Sequence, residues 1–420
     1  MIQHLFKLIW KQRRQNAWIA AELFLVFMLL WYIMDYFITI GYTASIENAY
    51  HIEDTYQVQL ATVPASSPKY IHYEEGEQIA AEQYLSIIER IRQYPQVEAV
   101  CLSNMSVPYC PSYRNLPMGP DTTSLKNCQY LQVTPSYFEV FRIEPLNGGE
   151  PSSLKDALTE KSIVISRLMA EKVFPKEQNP KGKSVLCGGN DEFYQIGGVC
   201  GAVKRDDYSR EERANYFLLS NSDIVDWGET ALADLEISIR VKPGLNKHNF
   251  IENFQKDMRE QLNTGNFVLY KVSSFEDLRD TLYLTNGVTD AIRYRIAFMA
   301  FLIFNIFLGI IGTFWFRNEY RKPEIGLRIA IGSTRRQILQ MMIGEGWLLV
   351  SLVGIPAAII CINIAKMEFI GTNIMPVTFF RVFAGLISTY LLMAFFITLG
   401  AWYPAYLSSR IAPADTLRSE

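Results

Sequence analysis

The chain is 420 residues long, 49% hydrophobic and 20% charged, with a formal net charge of −3. The stretch from residue 41 to 290 is richer in acidic than in basic residues, which argues against nucleic-acid binding there, and the histidines, His4, His51, His72 and His248, are too scattered for a metal cluster. The hydrophobic residues are spread unevenly, in four blocks that point to a membrane protein rather than two or three soluble domains.

The first block, Ala17 to Ile40, has an uncharged centre from Leu23 to Met34, with Glu22 and Asp35 near its ends. At about 1.5 Å per residue it can cross a hydrocarbon core roughly 30 Å thick. Lys7, Lys11, Arg13 and Arg14 precede it, and Ala44 and Ser45 follow, as in a signal peptide. A signal-peptide apolar region is usually about 7 to 15 residues, so this longer block is read as a retained anchor.

Residues 41–290 then read as one α+β domain. Ile79, Tyr84, Ile87, Ile88 and Ile91 recur at helical spacing, and Pro95 stops that helix. Val97 to Leu102 is strand-like, and the Cys/Pro/Gly-rich passage from Asn104 to Thr123 reads as a long loop. Tyr130 to Val133 is a strand, and Thr134-Pro135 supplies an N-cap and first-turn proline for a helix through Phe141. A break near Gly148-Gly149 divides the domain into two candidate subdomains.

Ser162 to Ser166 is a strand running into a helix, Arg167 to Phe174. Further strands are expected at Ser184 to Leu186, Phe193 to Val199 and Tyr216 to Leu219. Leu235 to Val241 alternates strictly and should be half-buried. A helix carrying Phe250, Ile251, Phe254, Met258 and Leu262 precedes a strand from Phe267 to Val272, and Ser274 to Tyr294 reads as an amphipathic stalk. No internal repeat is visible. Cys101, Cys110, Cys128, Cys187 and Cys200 all lie in this stretch, so at least one is unpaired within the chain, and buried thiols or one local bridge are expected.

The remaining blocks, Ile296 to Phe316, Gly346 to Ala365 and Val382 to Tyr403, are free of charge. With their flanks, the second and third helices are taken as residues 291–316 and 343–365, joined by a segment at 317–342. Residues 366–381 form a short loop and 404–420 a tail. The basic residues are grouped: Arg317, Arg321, Lys322, Arg328, Arg335 and Arg336 lie between the second and third spans, and Arg410 and Arg418 in the tail. The positive-inside rule puts residues 1–16, this segment and the tail in the cytoplasm, and residues 41–290 and 366–381 outside. Residues 41–290 hold 24 Lys and Arg against 35 Asp and Glu, a net of −11, while the remainder is +8. The small total therefore conceals a charge asymmetry across the membrane.

Between the second and third spans, Pro323 suits a first helical position, Glu324 the positive end of a helix dipole, and Gly332 a left-handed C′ position. A short helix is expected from Pro323 to Ile331. Thr334 and Gln337 form a capping box that starts a second helix running into the third span. Ile325, Ile329 and Ile331 give an apolar side, and Arg321, Arg328 and Arg335 recur every seven residues. By spacing alone this is a bent element on the membrane surface, where basic residues set topology and contact anionic lipid.

Arg321, Glu324-Ile325-Gly326, Arg328, Ala330, Gly332 and Arg335-Arg336 stand in the order of a signature found after the second span of MacB/FtsX-type ABC transporter permeases, which this segment resembles. Tyr403-Pro404-Ala405, Arg410, Pro413 and Leu417-Arg418 are similar to the family's ending. Val133 to Phe138, Ser162 to Ser166 and Asn179 to Lys183 resemble landmarks of its extracytoplasmic domain.

The resemblance implies a permease subunit with four transmembrane helices and a large α+β extracytoplasmic domain between the first and second, in a bacterial cytoplasmic membrane. It implies a homodimer, or a heterodimer with a related permease, contacting membrane lipid and serving efflux or export with a periplasmic adaptor and outer-membrane duct. Its contact with the ATPase would fall on Arg321, Lys322, Glu324, Ile325, Gly326, Arg328, Gly332, Arg335 and Arg336. The sequence contains no phosphate loop: Gly182-Lys183-Ser184 lacks the leading glycine, position 177 being Glu. No cofactor is expected on this chain, ATP and magnesium belonging to a separate ATPase, and only 16 residues precede the first span.

Control of cell-wall hydrolases and lipoprotein release stay open within the family. A membrane-anchored sensor is the competing class, although no inside segment exceeds about 30 residues. Neither Gly-x-Ser-x-Gly nor His-Glu-x-x-His occurs, so no hydrolase is indicated. Span centres without ionisable residues speak against a polar conduction path, and Glu345, at the entrance to the third span, is read as an interfacial residue.

Overall fold

The computed structural model describes residues 13–73, 78–175, 177, 179–188, 191–244, 249–371 and 374–408. The chain divides into two compact units, residues 1–43 with 289–420, and residues 44–288.

The membrane unit is helical. Its described residues form α1 (Arg13–Ser45) and three helices that follow the large domain in sequence. Four stretches, Ala17–Ser45, Val288–Gly309, Arg335–Lys366 and Phe379–Tyr403, are long and apolar enough to cross a membrane. Leu30 and Trp31 of α1 pack with Val350, Ala357 and Cys361 of the third span and Met393 and Ile397 of the fourth. The third and fourth spans are also joined by hydrogen bonds, Trp347 Nε1 to Thr398 Oγ1 at 2.8 Å and Ser351 to Tyr390 at 2.8 Å. Where lipid tails are as apolar as leucine, such polar contacts fix which helices pair. Phe298, Phe301, Phe304 and Leu308 of the second span are exposed.

The α/β domain follows α1 as β1 (Thr55–Thr62), α2 (Ile79–Arg92), β2 (Val97–Asn104), β3 (Arg114–Gly119), β4 (Lys126–Val133), α3 (Tyr137–Val140) and α4 (Ser152–Ala157). It continues through β5 (Ser162–Ser166), α5 (Arg167–Val173), β6 (Ser184–Cys187), β7 (Glu192–Cys200), β8 (Ala214–Leu218), α6 (Asn221–Val225) and α7 (Glu229–Ala233). It closes with β9 (Glu236–Val241), α8 (Phe250–Met258), β10 (Phe267–Ser274) and α9 (Phe275–Thr285). The last three helices of the chain are α10 (Val288–Ala330), α11 (Arg335–Lys366) and α12 (Phe379–Ser408).

All ten strands join one sheet in the order β10-β1-β9-β2-β4-β3-β6-β7-β5-β8, and β8 pairs back onto β4 in parallel from Gln129↔Ala214 to Val133↔Leu218. Six strands therefore close on themselves, while β10-β1-β9-β2 remains an open antiparallel sheet. The open sheet pairs with the closed ring at Ser103↔Val133 and Asn104↔Gln132.

One face of the open sheet, with Val58, Ile237 and Ile239, is covered by Tyr84, Ile87 and Ile91 of α2 and Phe250, Phe254 and Met258 of α8. The ring has its own core of Met118, Ile163, Ile165, Val185, Ile196 and Phe217. The boundary between these lobes is at β2–β4. Gly148-Gly149, read as a subdomain break, instead forms a turn between α3 and α4, with φ of 79° and 130°.

Four local readings change. The passage from Asn104 to Thr123 is not all loop, because β3 lies inside it, turned into β4 by Asp121, whose side chain accepts from the backbone N–H of Thr123 and Ser124, each at 2.9 Å. Pro117 is tolerated in that strand because β3 pairs with β6 only at Met118 and Gly119. Thr134 caps no helix: its Oγ1 accepts from Leu102 N–H at 2.9 Å, Ser136 Oγ donates to Val100 O at 2.7 Å, and the helix begins at Tyr137. β9 is buried on both faces rather than one, since α3 packs over the side that carries Ser238 and Arg240. The expected stalk is interrupted, α9 ending at Thr285 and α10 starting at Val288 after Gly287 at φ 66°.

Gly197 sits at a bulge. The register steps from Ile163↔Ile196 to Val164↔Gly198, leaving Gly197 without a partner on β5. A Cβ there would lie 2.2 Å from the carbonyl oxygen of Ala157. Gly197→Ala must push α4 off the ring, and we expect a loss of about 1–3 kcal/mol in chemical unfolding; an unchanged midpoint would contradict this packing.

Candidate coupling site

The basic segment forms a helix–turn–helix. α10 ends in a Schellman turn in which Ser333 N–H donates to Arg328 O at 2.9 Å and Gly332 N–H to Ile329 O at 3.0 Å. Gly332 holds φ 104°, a conformation that a side chain rarely adopts. Thr334 and Gln337 then make the capping box that opens α11, with Thr334 N–H donating to Gln337 Oε1 at 2.9 Å and Gln337 N–H to Thr334 Oγ1 at 3.3 Å. The two helices are clasped below the turn by Ile325 against Ile338, Met341 and Met342, with Ile329 packed alongside.

This corrects three expectations. No short helix begins at Pro323: α10 is one helix of 43 residues running from the span through Pro323 to Ala330. A helix already nucleated propagates residue by residue, so it can continue past a proline that would end a weaker one. Ile331 does not share the apolar side with Ile325 and Ile329; it is 78% exposed, as Leu327 is at 54%. The seven-residue spacing of Arg321, Arg328 and Arg335 is cut by the Gly332 turn, which puts Arg335 on the next helix.

Arg328 lies in the last turn of α10, where a cation suits the helix dipole. Arg335 and Arg336 occupy the first turn of α11, where no acidic residue is present and positive charge is disfavoured by roughly 0.3–1 kcal/mol each. Both are exposed and make no hydrogen bond or ion pair among the described residues. Arg321, Lys322, Glu324 and Gly326 fall on α10, their surroundings outside the described residues. The tail motif at Arg410, Pro413 and Leu417-Arg418 is outside them too.

Sequence reading missed a second centre in this unit. Arg381, assigned to a loop, is in the first turn of α12, and its guanidinium donates to both oxygens of Asp35 at 2.8 and 2.7 Å. It also donates to the carbonyls of Met375 and Gly371. The two side chains are only 2% and 5% exposed. Opposite charges closing the first span and opening the fourth, at the same end by topology, were the available signal. Glu345 is buried and is not without a partner.

In the α/β domain the cysteines are thiols, Cys101, Cys128, Cys187 and Cys200 being buried. Burial pushes the Cys200 thiol up to about 12 and the Cys110 thiol to about 12, so neither is a reactive thiolate at neutral pH. Glu236, on β9, is a partly buried carboxylate with several donors around it. Its Oε2 accepts from Ser103 Oγ at 2.7 Å, Ser106 N–H at 2.9 Å and Val107 N–H at 3.1 Å.

Burial raises the Glu236 pKa despite these bonds. The native domain then takes up this proton at higher pH than the unfolded chain does. Stability should therefore rise as pH falls through the raised native value and level off below the ordinary carboxylate range. Glu236→Gln should abolish that gain in thermal melts run from neutral to mildly acidic buffer. Parallel pH profiles for the two proteins would refute it.

Two family models match the chain, a MacB-like periplasmic core domain over residues 36–259 and an FtsX-like permease C-terminal domain over residues 296–413. The chain belongs to the MacB/FtsX-type ABC permease family. The permease is similar to the periplasmic region of MacB from Actinobacillus actinomycetemcomitans, at 12% identity over 56% of this chain and 94% of that one, with a TM-score of 0.34. It is also similar to a permease-protein domain from Porphyromonas gingivalis, at 13% identity, 54% and 94% coverage and a TM-score of 0.33. A third likeness is to the extracellular domain of the noncanonic ABC-type transporter YknZ from Gram-positive bacteria, at 16%, 51% and 100%, with a TM-score of 0.31. Among curated proteins there is no match.

The permease is thus a multi-pass membrane protein with an extracytoplasmic α/β domain, from a family of generally non-catalytic ABC transporter subunits that work with a partner ATPase. The FtsX-like match contains the whole helix–turn–helix.

Proposed function

We propose that this permease receives force from a separate cytoplasmic ATPase at the α10–α11 turn and delivers it to the extracytoplasmic domain as mechanical motion, driving efflux or export of a periplasmic substrate. The observation that carries this reading is the turn itself. Arg335 and Arg336 are exposed at the helix end least suited to them, next to exposed Leu327 and Ile331. An acidic and apolar groove on a partner would complement both features. Because α10 runs without a break from the second span to the turn, a push at Gly332 is transmitted along a helix rather than absorbed by a loop.

In this reading residues 1–16, the turn and the tail are cytoplasmic, the membrane is the bacterial inner membrane, and ATP and magnesium are held by the partner. The exposed aromatic face of the second span, Phe298, Phe301 and Phe304, supports lipid contact or pairing with a second permease copy. Cell-wall control and lipoprotein release would use the same transmission with different outer partners.

The test is co-expression with candidate ABC ATPase subunits from the same genome. Arg328→Glu, Arg335→Glu and Arg336→Glu together should reduce co-purification by about tenfold or more, like-charge juxtaposition at an interface being worth several kcal/mol. Permease-stimulated hydrolysis should fall with it. Normal capture and stimulation by the triple variant would remove the basis of the coupling reading.

A further inference from the structure

The open sheet has a second face. Register sets Gln57 opposite Ser238 on β9 and Ser273 on β10, so with Gln59 and Glu236 these residues point away from α2 and α8. The 105–112 segment and α9 stand over this face and enclose a cleft of about 770 Å³. That lies within the roughly 300–1,000 Å³ of small-molecule sites.

Its walls are mixed in a specific way. Val107, Pro108, Trp227, Leu278 and Leu282 supply apolar surface, Asp234 and Glu236 supply carboxylates, and no lysine or arginine lines it among the described residues. The three donors on Oε2 hold the Glu236 carboxylate rigidly, whereas Oε1 meets only the weak Cys110 thiol donor at 3.6 Å. On the same face Ser273 is 5% exposed and its Oγ has no hydrogen-bond partner. The roofing segment is strained, Met105 and Tyr109 holding φ of 50° and 59°, and such outliers gather where a binding surface is fixed in advance.

We infer that this cleft binds an amphipathic organic monocation, its ammonium group against Glu236 Oε1 and its apolar body between Trp227, Val107 and the leucines of α9. An anion would meet two carboxylates with no base to offset them. A neutral ligand would desolvate Glu236 without supplying a donor of equal strength. A bare metal ion would gain nothing from the apolar walls that Val107, Pro108, Trp227 and the leucines of α9 supply. The site is independent of the coupling reading, since its occupancy requires no nucleotide.

The experiment is a ligand-observed NMR titration of the full chain in nanodiscs of neutral lipid, with empty discs subtracted. The probes are phenylbutylammonium, phenylbutanol and phenylbutyrate. The ammonium should bind roughly tenfold or more tightly than the alcohol, the difference made by one charge-assisted hydrogen bond, and the carboxylate should not bind. Glu236→Gln should bring the ammonium and the alcohol to similar affinities. Ala231→Trp, at an exposed wall position that leaves the Glu236 hydrogen bonds in place, should remove binding of both. Equal affinities for all three probes in the parent protein, or full binding by Ala231→Trp, would overturn the assignment.

Discussion

Asp35→Ala should destabilise the membrane unit by about 3–5 kcal/mol, because it leaves the guanidinium of Arg381 buried with no opposite charge. Arg381→Ala in turn leaves the carboxylate of Asp35 buried with no opposite charge. The arginine variant also strands the carbonyls of Met375 and Gly371 that shape the turn into α12. Both single variants should therefore melt early. The double variant Asp35→Leu with Arg381→Met should recover most of the loss, since a buried pair exchanged for well-packed apolar groups of similar size is often neutral. Thermal unfolding of all three in nanodiscs closes the cycle; a single variant as stable as the parent would mean that the pair is not desolvated as described.

Arg240→Ala is expected to unfold the join between the two lobes of the extracytoplasmic domain. Arg240 is 1% exposed, and its guanidinium donates to the carbonyls of His51 at 2.6 Å, Glu53 at 2.9 Å and Val140 at 2.5 Å. One side chain on the open sheet thus gathers the loop entering β1 and the end of α3. Truncation leaves the buried carbonyl of Val140 and the partly buried carbonyls of His51 and Glu53 without their donor, beside a cavity, and a loss of roughly 2–4 kcal/mol is expected, an unsatisfied buried group costing about 1–3 kcal/mol. Lysine should not rescue it, because a single ammonium cannot reproduce the planar fork. Hydrogen exchange of residues 51–53 and 137–143 should accelerate first. Protection equal to the parent's in those segments would show that the guanidinium is not the fastener.

The sequence carried local features far better than closure. The spans, the capping box at Thr334 and Gln337, the glycine at the C′ position and the strand Ser162–Ser166 were all legible, because each depends on residues within one or two turns of each other. The parallel pairing of β4 with β8, and the bond between Asp35 and Arg381 across 346 positions, left no periodic trace. β3 was hidden by its proline and glycine, which argue against a strand until its short pairing with β6 is known. At the coupling segment the residue types were readable, but the continuity of α10 was not, since Pro323 at a helix start and Pro323 inside a long helix have the same local sequence.

The closed ring and the hydroxyls of Thr134 and Ser136 together bear on how this domain behaves among its neighbours. β8 is covered by β4, and the outer side of β2 is occupied by Thr134 and Ser136 rather than left to solvent. β10 lies at the open end of the sheet, and there a register shift against Gln59 and Leu60 and the exposed Lys271 interrupt the flat edge that a foreign strand would need. That end of the sheet is therefore a poor template for a strand from another chain.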